Sequence, residues 1–223
     1  MIKDAKDKNM KNLMEKGCEF RNFTGFEIRA KDNEEKDSDE MIIEGVACVF
    51  DKPTVLFEDE GIEYSEVVDK RALDEADISD VIFNYNHGGR VYARTRNDSL
   101  HLEVKEDGLH VRIKLNPEDE GHKELYRDIK NGLIDKMSYC YIVSDGGFDY
   151  DTETHTRRIT SIKKVFDVSA VDIPAYDSTS ISTRSILDLE KAEMEKLEND
   201  ILKKKQEHRK RIALAIKIKE GRI

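Results

Sequence analysis

The chain has 223 residues, of which 39% are charged and 38% hydrophobic, and its formal net charge at pH 7 is −10. This length fits one domain with an appendage. No stretch approaches the roughly 20 consecutive apolar residues that span a bilayer, so we expect no membrane insertion. The N-terminal residues lack the apolar segment of a secretory signal, which predicts a protein that stays inside the cell where it is made.

Charge is distributed unevenly along the chain. Residues 184–223 hold 12 basic and 8 acidic residues, whereas residues 1–183 hold 26 basic and 40 acidic ones. An acidic body argues against nucleic acid as the main ligand, because phosphate binding needs a basic footprint. The basic end has no Phe, Tyr or Trp to stack on bases and is more typical of a solvated helix.

The cysteine and histidine spacings predict neither a metal site nor a cofactor. Cys18, Cys48 and Cys140 are far apart and form no Cys-x-x-Cys pair, which predicts reduced thiols. No His-x-x-x-His pair is present, and no glycine-rich loop opens a helix as phosphate binding would require.

Taken in chain order, residues 1–17 are polar and predict a flexible arm. Apolar or alternating runs of strand length follow along most of the chain. They predict strands within residues 20–28, 41–50, 62–68, 80–85, 100–105, 109–115, 136–143 and 157–173. The Glu-Asp-Gly turn between the fifth and sixth runs predicts a β-hairpin.

Helices are predicted at three places. A short helical piece is expected at residues 71–75. A second helix begins at Pro117 with Asn116 as its cap, has Leu125, Ile129 and Leu133 at i+4 spacing, and ends at Asn131-Gly132. From residue 185 onward the chain has no Gly or Pro until Gly221, which predicts a long helix, either in a coiled coil or solvated. The fold class is therefore mainly β with flanking helices (α+β), with an antiparallel body.

Three side chains could carry chemistry. His87 follows an apolar strand and precedes two glycines, Ser138 is a hydroxyl inside a bulky strand, and Asp167 is a charge inside an apolar strand. A nucleophile, an imidazole base and an orienting carboxylate are the parts of nucleophilic catalysis. All three can also be explained without catalysis: His87 as a surface or capping residue, Ser138 as a locally bonded serine and Asp167 as an aspartate on a solvated face.

Several motifs, taken in order and spacing, resemble the prohead proteases of tailed phages over residues 18–187. They include Glu-Gly-Val-Ala at 44–47, Asn-His at 86–87, Met-Ser at 137–138, Asp-Val-Ser-Ala-Val at 167–171 and Pro-Ala-Tyr at 174–176. That family resembles the herpesvirus assemblins, so the resemblance implies an antiparallel β-barrel with helices around it. It also implies a prohead serine protease domain at 18–184, preceded by the arm at 1–17 and followed by a helical, scaffold-like extension at 185–223.

The resemblance assigns roles to the three side chains. His87 corresponds to the general base, Ser138 to the nucleophile and Asp167 to the third member, with Asp172 as the fallback. Asp167 is preferred because residues 167, 169 and 171 alternate to one face, whereas Asp172 points to the other. The loop at 174–177 lacks the arginine that assemblins place near the oxyanion, and Ala93 stands where the family commonly has glycine.

The implied function is a serine endopeptidase that cleaves scaffold and major capsid protein, and itself, inside the phage procapsid in the host cytoplasm. A homodimer is expected by resemblance alone, and no metal, cofactor, membrane or nucleic-acid partner is expected. The alternative is a protease-fold scaffold without activity, which binds capsid subunits through its tail.

Overall fold

The computed structural model describes two groups of residues. The first comprises 16–21, 28–30 and 40–172, and the second comprises 191–192, 195–196, 199, 202–207 and 210–211. By its contacts the chain divides into a first unit, Met1–Thr179, and a second unit, Ser180–Ile223. In the second unit the described residues are helical and exposed. The residues between them, like 1–15 of the predicted arm, lie outside the described part, so the continuous C-terminal helix stays a prediction.

The first unit consists mainly of strands, as the fold class predicts. They are β1 (Glu19–Arg21), β2 (Ile28–Ala30), β3 (Met41–Val49), β4 (Thr54–Asp59), β5 (Ile62–Val68), β6 (Ile82–Tyr85), β7 (Gly88–Arg94), β8 (Leu100–Val104), β9 (Gly108–Leu115), β10 (Lys136–Val143), β11 (Phe148–Asp151), β12 (Thr156–Ile159) and β13 (Ile162–Val171). The helices described here are α1 (Glu120–Lys130) and a single 3-10 turn, Thr95–Asn97.

The strands form three sheets. Sheet A has the order β1-β10-β13-β6-β7, sheet B has β2-β3-β9-β8, and sheet C has β11-β12-β5-β4. Within the described residues none of these sheets closes on itself, so the expected β-barrel is wrong. The antiparallel expectation is also only partly right, because β13 pairs with β6 and β12 pairs with β5 in parallel. Both parallel pairs join strands far apart in sequence, which local patterns of hydrophobicity do not reveal.

Most predicted strands are present, and three strands were missed. β4, β7 and β11 were not predicted, because each is short, polar or largely exposed. Residues 71–75 form successive turns with bonds such as Ala72 N–H to Asp69 O rather than a helix. The predicted strand 157–173 divides at Thr160 and Ser161 into β12 and β13, which belong to different sheets.

The hydrophobic core is formed by the inward faces of the sheets. In β9 alternate residues are buried, as the hairpin pattern predicts for a sheet with one solvated face. β10 is different, since all five residues from Met137 to Tyr141 are buried. β1 and β13 pair with its two edges, so β10 lies inside the sheet. The largest fully buried core side chains include Ile43, Phe83, Leu100, Leu109, Ile113, Met137, Tyr139 and Ile162.

Helix α1 begins three residues later than predicted. Its N-cap is Asp119, whose carboxylate accepts the main-chain N–H groups of Gly121 and His122. Asn116 instead accepts the N–H of Glu118 in a local turn, so the chain is still turning there. Hydrogen bonding from Arg90 and from the helix N–H groups lowers the pKa of Asp119 to about 2.

A buried ion cluster joins sheet A to sheet C. It consists of Glu19, Arg21, Glu66 and Arg157, with the Tyr141 hydroxyl donating to Glu66 over 3.0 Å. Arg21 donates to Glu66 over 2.8 Å and 3.1 Å, and Arg157 reaches both carboxylates. Burial opposes the charge of Arg21, but the neighbouring carboxylates outweigh it and raise the pKa of the guanidinium above its usual range. The cluster holds β1, the first described strand, in place beside β10.

Candidate active site

Three neighbouring strands of sheet A bring polar side chains into one row. Ser138 on β10 is in register with Ser169 on β13, and Ser169 is in register with Asn84 on β6. Two residues further along β10, Cys140 is in register with Asp167 on β13. Because Asp167 and Ser169 are two residues apart on a strand, their side chains lie on the same face.

His87 reaches this row from a tight turn. β6 and β7 are joined by a two-residue loop, Asn86 and His87, closed by the pair Tyr85 and Gly88. Both loop residues have a φ of 53°, the left-handed conformation that a type I′ turn requires. Asn and His adopt this conformation more often than most other non-glycine residues, and its cost of roughly 1 kcal/mol has to be offset by surrounding contacts. The turn brings the imidazole to the end of the Ser138 and Asp167 strands.

The three candidate side chains form one hydrogen-bonded chain. His87 Nε2 lies 2.5 Å from Ser138 Oγ, and His87 Nδ1 lies 2.7 Å from Asp167 Oδ1. Ser138 and Asp167 are buried, and His87 retains 7% of its surface exposure. A buried carboxylate is stable only with partners, and Asp167 has two, the imidazole and the Ser169 hydroxyl at 2.8 Å. The structure therefore brings together all three residues singled out in the sequence.

The nucleophile candidate also has a second partner, in β1. Ser138 Oγ donates to the main-chain carbonyl of Arg21 over 3.0 Å, and the Phe20 ring packs edge-on against His87 with 4.8 Å between ring centroids. Ser138 has no exposed surface. The hydroxyl proton thus has two acceptors, and β1 supplies one of them. Sequence reasoning missed this contact, because residues 117 positions apart in the chain leave no shared pattern.

Two cysteines, Cys18 and Cys140, lie beside the site, and Cys140 lacks the character of a nucleophile. The Cys18 and Cys140 thiols are hydrogen-bonded to each other, and this bond together with burial raises the pKa of Cys140 far above its usual range. The negative charge of Asp167 acts in the same direction. Cys140 therefore remains a protonated thiol and does not compete with Ser138.

Asp172, the fallback for the third member, lies elsewhere. Its carboxylate accepts a hydrogen bond from the Tyr85 hydroxyl over 2.8 Å, and its main-chain N–H donates to Asn86. Burial and this bond raise the pKa of Tyr85 to about 12. The carboxylate hydrogen-bonded to His87 is that of Asp167.

Among the described residues, no three His, Cys, Asp or Glu side chains are grouped to hold a metal ion, and no helix is long and apolar enough to cross a membrane. A groove of about 690 Å³ on sheet B is lined by residues such as Gly45, His101 and Arg112, and none of the three candidate residues lines it. The loop at 174–177 lies outside the described residues.

A hydroxyl, an imidazole and a carboxylate bonded in this order form the arrangement used by serine hydrolases. Comparison with known families agrees with that class: a model of the caudovirus prohead serine protease family matches residues 26–196 of the 223. The chain belongs to this family. Searches of curated proteins and of solved structures each gave no match. Family membership supports a general role as a serine protease of phage head maturation that acts on capsid proteins within the procapsid.

Proposed function

We propose that this protein is a serine endopeptidase that cleaves the scaffold and major capsid proteins inside the procapsid, with Ser138 as nucleophile, His87 as general base and Asp167 as the orienting carboxylate. The observation that carries the proposal is the continuous hydrogen-bonded chain Ser138–His87–Asp167. Residues from three separate segments converge on it, and its order matches the proton path of acyl transfer.

Each member has a defined task in the reaction. Ser138 Oγ attacks the carbonyl carbon of the scissile peptide bond while its proton passes to His87 Nε2. Asp167 accepts the hydrogen bond from Nδ1–H, which keeps Nε2 free to take the proton and stabilises the imidazolium that forms. The imidazolium then gives its proton to the leaving amine, and a water molecule repeats the sequence to release the acyl group. Asp167 stays ionised throughout.

The negative charge on the tetrahedral intermediate needs donors nearby. Main-chain N–H groups supply them in most acyl-transfer enzymes. The main-chain amide of Ala175 or Tyr176 is the candidate donor, and the loop at 174–177 carries no arginine.

The remaining parts of the proposal concern organisation and partners. Residues 18–184 form the protease domain, and the basic extension at 185–223 holds the enzyme among scaffold subunits in the procapsid of the infected cell. A homodimer is the expected assembly. Cleavage of its own chain near the start of the extension releases the domain.

Co-expression with the major capsid and scaffold proteins of the same phage tests the proposal. The wild type, Ser138→Ala and a control, Ser161→Ala, are compared by intact mass of every chain. Ser161 is a suitable control because its hydroxyl bonds only locally, to Ser144 over 2.8 Å. We expect shortened capsid and scaffold chains with the wild type and Ser161→Ala, and full-length chains with Ser138→Ala. Full-length chains in all three samples contradict the proposal.

Self-cleavage is tested on the purified chain. Incubation of the 25.8 kDa protein over days should yield a shorter species in the wild type and not in Ser138→Ala. The mass of the product locates the cut near residue 185. An unchanged mass in the wild type contradicts self-processing and leaves cleavage of capsid chains to the previous experiment.

A second function is favoured by one observation, the complete burial of Ser138 beneath β1 contacts. It is a protease-fold scaffold without activity that binds capsid subunits through its extension. This function predicts co-assembly with capsid protein, identical for the wild type and Ser138→Ala, and no change in any chain's mass.

A further inference from the structure

The side chain of Ser169 contacts both His87, which bonds the nucleophile, and Asp167, which bonds His87. Ser169 is completely buried on β13 and lies between Ser138 and Asn84 in the register of sheet A. Its Oγ accepts the main-chain N–H of His87 over 3.2 Å and lies 2.8 Å from Asp167 Oδ1. No other described hydroxyl bonds both the base and the carboxylate.

The Ser169 hydroxyl is surrounded by hydrogen-bonding partners. A hydroxyl has one proton to donate, and two acceptors compete for it, Asp167 Oδ1 and Asn84 Oδ1 at 2.5 Å. Its remaining lone pairs face the N–H and the ring Nδ1 of His87, the latter at 3.1 Å. Asn84 is itself buried and pairs in register with Ser169, so the oxygen is held from every side.

We propose that Ser169, held by Asn84, is a positioning residue that sets both the strained turn of His87 and the carboxylate of Asp167. The proposal rests on the function proposed above. The left-handed conformation of His87 requires support from the surroundings, and the bond from its N–H to Ser169 Oγ supplies it. The same oxygen bonds the carboxylate that fixes the ring, so one residue sets both ends of the Asp167–His87 bond.

The contacts of Ser169 affect the reaction as well as the stability of the fold. When His87 takes the proton of Ser138, positive charge appears on the ring beside Asp167. When the Ser169 hydroxyl donates to Asp167, this hydrogen bond limits movement of the carboxylate without neutralising it. Loss of the hydroxyl leaves the ring free to tilt and to exchange tautomers, and small displacements of a catalytic group have large effects on rate.

The test compares Ser169→Ala with the wild type and with Ser161→Ala. The second variant breaks the hydrogen bond between the Ser144 and Ser161 hydroxyls, which lies outside the site. The first measurement is the rate of reaction with a fluorophosphonate probe as a function of its concentration, which separates kinact from KI. We expect kinact of Ser169→Ala to fall roughly 10- to 100-fold, as for other residues that orient a reacting group. KI should stay within about twofold, because the probe's binding contacts are unchanged. Ser161→Ala should match the wild type.

The second measurement does not depend on activity. In ¹⁵N-histidine-labelled protein, the ring signals of His87 are the ones lost in His87→Gln among the six histidines. We expect a single Nδ1–H tautomer with a slowly exchanging proton in the wild type, and mixed tautomers or a rapidly exchanging proton in Ser169→Ala. Ser169→Cys, which keeps the volume with a weak donor, should show the same change if the alanine variant folds poorly.

The two measurements separate the two proposals. An unchanged kinact or an unchanged ring signal in Ser169→Ala overturns the positioning role. A reduced amplitude at unchanged kinact also overturns it, because that result reports only a smaller folded fraction. If the wild type does not react with the probe, the proposed function fails, and the tautomer of His87 alone decides the role of Ser169.

Discussion

His87 is the residue on which the proposed chemistry depends most. Its two ring nitrogens bond the other two members, at 2.5 Å and 2.7 Å, while its main chain occupies the left-handed conformation, with a φ of 53°. The cost of that conformation, of order 1 kcal/mol or more, is offset by the bonds that converge on the turn. The geometry of the site therefore depends on the contacts that hold the His87 imidazole.

Replacing the carboxylate tests the orientation of this ring. Asp167→Asn should lower kcat by about 10³-fold or more, because an amide can donate to Nδ1 and so favour the tautomer whose Nε2 carries the proton. That tautomer cannot accept the proton of Ser138. Asp172→Asn is the control, and its kcat should stay close to wild type because Asp172 bonds Tyr85. Equal losses in the two variants, measured by cleavage of the capsid protein, contradict the assignment of Asp167.

The three side chains could be singled out from residue types and strand patterns, but their roles were predicted only from the family resemblance. Asp167 was distinguishable from Asp172 because alternation along a strand separates the two faces. The family resemblance, which gives the order of these residues along the chain, predicted His87 as the base and Ser138 as the nucleophile. The roles of Phe20 and Arg21 could not be predicted, because their contacts depend on β1 pairing with a strand more than 100 residues away.

Among the elements, β1 has the most direct influence on access to the site. It pairs with the edge of β10, places a carbonyl on Ser138, and is tied to sheet C by Glu19 and Arg21. A substrate carbonyl must reach an Oγ that has no exposed surface, so the segment around Ser138 has to move before reaction. The family match begins at residue 26, after β1 has ended.

Loosening β1 should therefore increase the reactivity of Ser138. Phe20→Ala removes the ring that packs on His87, and we expect the fluorophosphonate rate to rise roughly fivefold, the size expected for losing one aromatic contact. The matched control is Phe57→Ala, which removes a comparable aromatic contact, with Tyr64 at 4.7 Å, from sheet C. A slower reaction in Phe20→Ala than in the control contradicts a covering role and indicates that Phe20 supports the ring.

The sequence predicted a closed barrel, whereas the described residues form three open sheets. Alternation identified β8 and β9, and an apolar run identified β3, but such local patterns carry no information on which edges meet. The parallel pairs β13–β6 and β12–β5 connect strands that are more than 80 residues apart in the chain. Closure of a sheet is set by such long-range pairs, and a local pattern does not encode them.

For the whole first unit, the buried ion cluster is the main electrostatic link between sheets. Glu66 has no exposed surface and bonds Arg21, Arg157 and Tyr141. Glu66→Gln should lower the free energy of unfolding by about 3 kcal/mol, because it leaves two buried guanidinium groups short of a counter-charge. Urea denaturation measures this value. A loss as small as that of Glu44→Gln, an exposed ion pair with Arg112, contradicts the importance of the cluster.

The same cluster predicts a loss of stability in acid. Burial opposes the charge of Glu19, but Arg21 and Arg157 outweigh it and lower the pKa of this carboxyl below its usual value of 4.5. A lowered pKa stabilises the fold above that value, and the contribution is lost as the pH falls towards the folded-state pKa. In Glu19→Gln the free energy of unfolding should therefore fall less between about pH 5 and pH 3 than in the wild type. Parallel curves for the two proteins contradict this prediction.

The central claim is that Ser138 is an activated nucleophile. The most direct measurement is reaction of the purified wild type with a fluorophosphonate probe, followed by digestion and mass mapping of the modified residue, with Ser138→Ala and His87→Ala alongside. We predict a single modified site at Ser138 in the wild type and none in either variant, because the hydroxyl reacts only when the imidazole takes its proton. Modification at another serine, or equal modification of Ser138 in His87→Ala, would contradict the claim.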